Sequence, residues 1–324
     1  MSKAIRLSQY GGPEVLGLET VDPGAPAPDE IQIQHTAIGV NYIDVYDRTG
    51  LYPMPLPGVL GREAAGKVVA LGKKVRGFKV GDRVAYVHSK PGAYSEVRNV
   101  PAERVVKVPS GISDEQAAAL MLKGLTAHYL LRRTYRVKKG DDLLVHAAAG
   151  GVGLLLIQWA RSLGARVIGV VGSDAKAELA KKHGCKHVLI SGRDDTVAAV
   201  RQITKGAGVN VVYDSVGKDT FMESLDCLRP LGMMVTYGNA SGPPPAISPL
   251  ELSKRGSLFL TRPSLFSYIA NKDDLASAAR ELFAVVKSKK VKVRIGQTYP
   301  LADAAEAHRD LEARRTTGST VLVP

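Results

Sequence analysis

Cysteine is nearly absent: the 324 residues contain two, Cys185 and Cys227. Two thiols this far apart cannot supply the CxxC ligand pairs of a structural zinc lobe, nor the framework of a disulfide-stapled secreted domain. Aromatic residues make up only 6% of the chain. Long apolar runs are missing too. Stretches such as Val152–Ile157 fall far short of the ~20 residues that span a bilayer. Met1–Arg6 lacks the apolar run of a secretory signal. Together these absences point to a soluble protein of the cytoplasm with reduced thiols. Acidic residues are also in deficit, 31 against 44 Lys and Arg, for a formal net charge of +13. Such an excess favours an anionic partner: nucleic acid, an acidic surface or a phosphorylated cofactor.

Glycine is plentiful, at 33 residues, and its distribution divides the chain. Up to Pro109, short apolar segments (Ile31–Gln34, Gly66–Ala70, Arg83–Tyr86, Val105–Val108) are broken by turn signals such as Gly11-Gly12-Pro13, Pro23-Gly24 and Gly81-Asp82. This spacing predicts an irregular antiparallel barrel. Ser113-Asp114-Glu115 predicts the cap of a helix running to Leu122. From Asp141 strands and helices alternate. Strands are expected at Leu143–Ala147, Arg166–Val171, His187–Ile190, Val209–Tyr213 and Met233–Tyr237, with helices at Gly151–Ser162, Asp174–His183, Asp194–Thr204 and Lys218–Leu228. Near-continuous apolar strands between helices predict a doubly wound parallel sheet. Ser257–Thr261 adds a strand, Asp273–Lys287 a helix, and Leu301–Ala313 and Ser319–Pro324 a final helix and strand. The chain thus leaves a first domain, builds the sheet and returns.

The strongest local signal is His146-Ala-Ala-Ala-Gly150-Gly151-Val152-Gly153, set where a strand ends and a helix begins. Glycines there let backbone approach a pyrophosphate, and the helix N-terminus offers N–H groups, so Ala149, Gly150, Gly151 and Val152 are candidate cofactor contacts. An NAD site wants an acid at the end of the second strand to bind the ribose 2′-hydroxyl. Here that position is Val171, followed by Gly172, Ser173 and Lys176: a hydroxyl and a cation suited to a 2′-phosphate. Asp174 reads as a helix cap. The cofactor expected is therefore NADPH. Ligands of open parallel sheets lie beyond the carboxyl ends of the strands. That rule adds Val216 after the fourth strand, and Gly238, Asn239, Ala240 and Ser241 after the fifth.

Several motifs in this order carry a family resemblance: Gly61-Arg-Glu63-Ala-Ala-Gly66, Gly81-Asp-Arg-Val84, Gly92-Ala-Tyr-Ser-Glu96, Lys123-Gly-Leu-Thr126, Ala147–Gly153, Val212-Tyr-Asp-Ser-Val-Gly217 and the ending Arg314–Pro324. Over its full length the chain resembles the zinc-free, zeta-crystallin-like quinone oxidoreductases of the medium-chain dehydrogenase/reductase superfamily. The resemblance implies an α/β protein. Its expected parts are a GroES-like β-barrel catalytic domain, residues 1–124 and 262–324, and a Rossmann domain, residues 125–261, with NADPH-dependent quinone reduction in the cleft between them. In zinc-dependent relatives the motif near position 62 reads Gly-His-Glu and its His binds the metal. Here it is Arg62, and Gly39–Tyr42 carries no thiol, so no metal site is expected.

The resemblance places Asn41 and Tyr46 near the nicotinamide and the quinone, Tyr52 near the mouth of the site, and Thr126 against the carboxamide. All four side chains are expected in catalysis, with Asn41, Tyr46 and Tyr52 carried on a loop. It adds Lys123 and Tyr129 beside the cofactor, and Thr261, Arg262, Pro263, Arg314 and Gly318 closing over it, with Arg315 a basic rival to Arg314. Ser191 stands where bacterial members carry a Tyr near the 2′-phosphate, a departure for which Arg193 offers compensating charge. His35, His88 and His128 read as structural or surface residues. The resemblance also implies a homodimer, for which edge-strand pairing at Ser257–Thr261 is one route.

Two other functions compete: an enone or alkenal reductase of the same fold, and an NADPH-binding RNA-associated protein. The basic clusters Lys73–Arg76, Arg132–Lys139 and Lys287–Arg294 read more simply as solvated faces and helix ends than as an RNA surface.

Overall fold

A computed structural model describes residues 1–324. It divides into two compact units, Met1–Leu125 with Tyr268–Lys287 and Val293–Pro324, and Thr126–Ser267 with Ser288–Lys292.

Along the chain the elements are β1 (Ser2–Leu7), β2 (Leu16–Val21), β3 (Glu30–Val40), α1 (Tyr42–Thr49), β4 (Gly58–Val59), β5 (Glu63–Leu71), β6 (Arg83–Val87), β7 (Val97–Pro101), β8 (Val105–Lys107), α2 (Asp114–Ala118) and α3 (Met121–Tyr129). Then β9 (Asp142–Val145), α4 (Gly151–Ser162), β10 (Arg166–Val171), α5 (Asp174–Lys182), β11 (His187–Ile190), α6 (Thr196–Ile203), β12 (Val209–Asp214), α7 (Phe221–Asp226), β13 (Leu228–Thr236), α8 (Leu250–Lys254) and β14 (Phe259–Thr261) alternate. The chain closes with α9 (Leu265–Tyr268), α10 (Lys272–Lys287), β15 (Ile295–Pro300), α11 (Ala304–Glu312) and β16 (Ser319–Val323).

The first unit is the barrel. A seven-stranded sheet runs β15-β16-β3-β5-β6-β8, with β7 pairing β3, and a three-stranded sheet runs β2-β1-β4. The long β3 shifts register twice against β5, between Gln32 and Ile33 and between His35 and Ala37. Such bulges bend a strand, and β3 pairs with β5, β7 and β16 in turn. Pairing is antiparallel as expected, except that β15 and β16 are parallel. Ile5, Leu7, Ile31, Ile33, Val84, Tyr86, Tyr94 and Leu322 fill the interior.

The second unit is a parallel sheet in the order β11-β10-β9-β12-β13-β14. The order reverses at β9/β12, the switch point at which doubly wound sheets bind ligands. Leu144, Ile168, Val212 and Met234 are buried, which explains why these strands lack alternation.

Several elements differ from expectation. The helix expected to run to Leu122 ends at Ala118, with α3 starting anew at Met121, and β13 begins at Leu228 instead of Met233. Residues 42–49 form a helix, α1, and not a loop; Gly50 ends it in the left-handed conformation at φ 81°. Helix α7 begins at Phe221 because Gly217–Thr220 is drawn into a turn: the Thr220 N–H donates to the Gly217 carbonyl and its hydroxyl to Asp214. Strand β14 is shorter than Ser257–Thr261 because Ser257 adopts φ 58°. No helix is long and apolar enough to cross a membrane.

Candidate cofactor and active site

The glycine turn follows β9. Ala147 takes φ 50°, Gly150 donates its N–H to the Ala147 carbonyl at 2.9 Å, and α4 starts from an extended Gly150. A Cβ on Gly153 would sit 2.4 Å from the Ala147 oxygen, so this glycine is required for the helix to pack on its own turn. The first-turn N–H groups of α4, from Gly151 and Val152 onward, lie outside the intrahelical ladder and face the end of the helix where anions bind. Backbone donors, a bare turn and a helix dipole fit a pyrophosphate.

One strand over, β10 ends at buried Val171. A Cβ on Gly172 would meet nothing within 4 Å, so this turn is open. The helix cap is Ser173, whose hydroxyl accepts from the Lys176 N–H at 3.4 Å, and not Asp174 as the sequence suggested. Asp174 instead pairs with Arg193 at 3.0 Å, and Arg193 also approaches Asp194 at 3.8 Å. The charge expected to stand in for a tyrosine at Ser191 is thus shared with two carboxylates. The Ser191 N–H donates to the Val171 carbonyl at 2.8 Å, so Ser191 lies at the end of β10, where the Gly172 turn begins.

The loops after β12 and β13 interlock. Ala240 and Ser241 donate their N–H groups to the Ser215 and Val216 carbonyls at 3.1 and 2.8 Å. A Cβ on Gly238 would lie 2.5 Å from the Ser215 oxygen. Thr261 ends β14, and Arg262 donates to the Thr236 carbonyl at 2.9 Å and, with the Asn239 amide suitably oriented, to Asn239 at 3.3 Å. Pro263 follows directly.

In the barrel unit, Asn41 caps α1 and is held from two sides. Its N–H donates to Asp44 at 2.8 Å, and its amide Nδ2 donates to Glu63 at 2.7 Å. Glu63 is fully buried and also accepts from the Leu122 N–H at 2.5 Å and the Lys123 ammonium at 3.2 Å. Lys123 is itself buried and donates to the Val40 carbonyl at 2.8 Å. Thr126 lies one turn on in α3 and is buried, as is Tyr129. The Tyr46 ring is buried 5.4 Å from Tyr42 and edge-on to Tyr52 at 5.2 Å, so the three tyrosines form one cluster.

Behind Asn41 runs a directed chain of hydrogen bonds. Arg48, paired with Glu312 at 2.8 Å, meets His308 Nδ1 at 3.1 Å. A guanidinium can only donate, so Nδ1 accepts and Nε2 carries the proton. Nε2 then donates to the Tyr94 hydroxyl at 3.1 Å, and Tyr94 donates to Asp44 at 3.0 Å. Burial first, then the nearby Asp47 carboxylate, pushes Asp44 up to about 7; burial and the Arg48 charge hold His308 down to about 3.

Arg62 forks onto Asp47 at 2.9 and 2.6 Å and donates to the Ser89 carbonyl. No group of three or more His, Cys, Asp or Glu side chains is placed to hold a metal ion. His35 is sandwiched between the Ser95 carbonyl at 2.6 Å and the Tyr86 hydroxyl at 3.1 Å, and burial holds it down to about 4. Of the two C-terminal arginines, Arg315 is bound to Asp310 at 2.6 Å. Arg314 takes φ 58°; burial and Glu312 push the Tyr42 phenol up, and the Arg314 charge opposes them. Gly318 has a structural duty, since a Cβ there would lie 2.6 Å from the Arg294 oxygen. Sequence reasoning passed over Glu63, Asp44, His146, Asp214 and Ser224. The motifs around residues 63, 146 and 214 were visible, but not the partners that give them meaning.

A GroES-like barrel and, in the same chain, a doubly wound sheet whose glycine turn suits a dinucleotide define the medium-chain dehydrogenase/reductase class. Residues 27–110 match the alcohol dehydrogenase GroES-like domain and residues 151–284 the zinc-binding dehydrogenase family. A quinone oxidoreductase from Pseudomonas aeruginosa is 50% identical over the whole of both chains. The solved structure of an Escherichia coli quinone oxidoreductase complexed with NADPH superposes with a TM-score of 0.97 at 49% identity, covering 99% of this chain and 100% of that one. A 2-haloacrylate reductase from a Burkholderia species is 46% identical across 100% of this chain and 99% of its own. The chain belongs to the quinone oxidoreductase family of this superfamily.

Proposed function

We propose that the chain catalyses the NADPH-dependent reduction of quinones without zinc. The observation that carries the cofactor choice is the end of β10: Val171 stands where an NAD site needs an acid, and Ser173 and Lys176 follow in the open turn. The full-length likeness to quinone oxidoreductases, one of them solved with NADPH, supports the same reading. Bound NADPH would supply the hydride from its reduced nicotinamide ring.

The chain's own residues then divide the work. Residues 125–261, taken as the dinucleotide domain, would hold the cofactor through the turn at Ala149–Val152, through Gly172, Ser173, Lys176 and Ser191, and through Val216 and Gly238–Ser241. Residues 1–124 and 262–324, taken as the catalytic domain, would serve the substrate through Asn41, Tyr46 and Tyr52. Lys123, Thr126 and Tyr129 would flank the nicotinamide, and Thr261–Pro263, Arg314 and Gly318 would close over the cofactor. With Arg62 committed to Asp47, the acceptor is activated by positioning and hydrogen bonds instead of a metal. We further propose a homodimer through the outer edge of β14, where Phe259 and Leu260 are exposed.

The 2-haloacrylate reductase relative favours a second reading, reduction of an activated alkene by the same machinery. Initial rates of NADPH and NADH oxidation with a benzoquinone, a naphthoquinone, an α,β-unsaturated ketone and a 2-haloacrylate, with metal analysis of the same sample, separate the two. Faster NADPH oxidation with quinones and no stoichiometric zinc is expected. A preference for NADH, turnover of alkenes alone, or one zinc per chain would reject the proposal.

A further inference from the structure

Asp214, the last residue of β12, is fully buried, and all its hydrogen-bond donors are neutral. Oδ1 accepts the N–H groups of Val216 at 2.7 Å and Gly217 at 3.1 Å. Oδ2 accepts the hydroxyls of Thr220 at 2.8 Å and Ser224 at 3.4 Å. Ser224 in turn lies 2.9 Å from Nε2 of His146, the residue that opens the glycine turn. A hydroxyl directed at a carboxylate leaves its oxygen free to accept, so His146 donates from Nε2. Burial holds His146 down from its ordinary range, consistent with a neutral ring carrying one proton.

Burying a carboxylate without a cation is costly, and an apolar side chain would pack the same space more cheaply. What the polar chain adds is a connection. His146 stands at the end of β9, Asp214 at the end of β12, and the β12 loop it shapes is stitched to Gly238–Gly242 after β13. The Lys218 N–H donates to the Gly242 carbonyl at 3.0 Å and the Ser241 hydroxyl to the Val216 carbonyl at 2.9 Å. A Cβ on Gly217 would lie 2.5 Å from the Gly242 oxygen, so the two loops are in close contact. A single carboxylate therefore organises three loops at the carboxyl edge of the sheet, including the turn that suits a pyrophosphate.

We infer that His146 and Ser224 are positioning residues for the diphosphate of the dinucleotide, transmitting the placement of Asp214 to the glycine turn. This rests on the NADPH reading above. The relay touches the turn after β9 and not the turn after β10, so it acts on diphosphate ligands and spares those held only through the adenosine 2′-phosphate end.

The test compares dissociation constants for NADPH, 2′-phospho-ADP-ribose and adenosine 2′-monophosphate, which carries neither phosphate of the diphosphate. Ser224→Ala breaks the relay with little change in volume. It should weaken NADPH and 2′-phospho-ADP-ribose by about tenfold and the 2′-monophosphate by no more than about twofold. His146→Gln, whose amide keeps a donor toward Ser224, should bind nearly as wild type, whereas His146→Leu should reproduce the loss. The two His146 variants carry the same comparison should Ser224→Ala not fold. Equal weakening of all three ligands would mean general loosening and would overturn the inference, as would no weakening at all. Wild-type protein that binds none of the three would reject the cofactor reading itself, and the inference with it.

Discussion

Glu63 holds Lys123 across 3.2 Å inside the barrel unit, with both side chains buried, and the same carboxylate oxygen receives the Asn41 amide. Removing one partner of such a pair strands a charge where water cannot reach it, which typically costs about 3–5 kcal/mol, while removing both is far milder. Lys123→Met is therefore expected to lower unfolding stability by that amount, and Glu63→Gln/Lys123→Met to recover at least half of the loss. Urea denaturation of the three proteins checks this. A double variant no more stable than Lys123→Met would show that the pair does not act as a unit.

Asp44 sets a pH dependence whose sign can be worked out. Its carboxyl is raised from 3.8 to about 7, chiefly by burial. Between those values the folded protein keeps a proton that the unfolded chain has released, so this group's contribution to stability is largest below about 4 and declines as pH rises toward 7. The shift corresponds to about 4 kcal/mol at most. Asn has no such proton, so the advantage of wild type over Asp44→Asn should shrink steadily between pH 4.5 and 7.5. His35 and His308, lowered by burial, change stability in the opposite direction but do so in both proteins. Denaturation midpoints that run parallel over this range would contradict the assignment.

Gly153→Ala probes the glycine turn. The new methyl would sit 2.4 Å from the Ala147 carbonyl oxygen and 2.7 Å from that of Ala148, and both are backbone atoms that cannot rotate away. The turn must shift, at a cost of about 1–3 kcal/mol. NADPH affinity should fall by more than tenfold, because the displaced backbone is what would cradle the pyrophosphate. Gly140→Ala makes a useful contrast. Unlike the helical Gly153 it has a positive φ, at 89°, and nothing lies within 4 Å of its Cβ, so only stability should respond. Comparable loss of cofactor binding in both variants would remove the turn from the site.

Much of this was legible in the sequence. The parallel sheet could be read because its strands are short, apolar and separated by helices with clear caps, and the glycine turn sits at the one junction where a bare backbone is useful. Helix α1 could have been read as well: Asn41 with Asp44 three residues on, and Gly50 at the end, are start and stop signals. The tyrosines at 42, 46 and 52 drew the reading toward a loop with polar tips. The buried relays could not be read. Asp44 meets Tyr94, and Tyr94 meets His308, only because α1, the loop before β7 and α11 converge. His146 meets Ser224 only because β9 and β12 are adjacent in a strand order that the sequence does not spell out. The caps of α5 show the finer limit: Ser173 and Asp174 both suit the position, and only the backbone decides between them.

The outer edge of β14 yields the last expectation. The strand pairs with β13 on one side and ends the sheet on the other. It is three residues long and carries Phe259 at 56% and Leu260 at 39% exposure, with no charge among Phe259, Leu260 and Thr261. Natural edge strands are protected by charge, proline or a cover. An unprotected apolar edge suits pairing with the same edge of a second copy, which would continue the sheet across a two-fold axis. Leu260→Lys would place like charges near that axis, where such contacts cost several kcal/mol. Sedimentation velocity should then show a dimer for wild type and a monomer for the variant at micromolar concentration, with the melting temperature of the separated chain lower but the fold retained by circular dichroism. A variant that sediments as wild type would place the interface elsewhere.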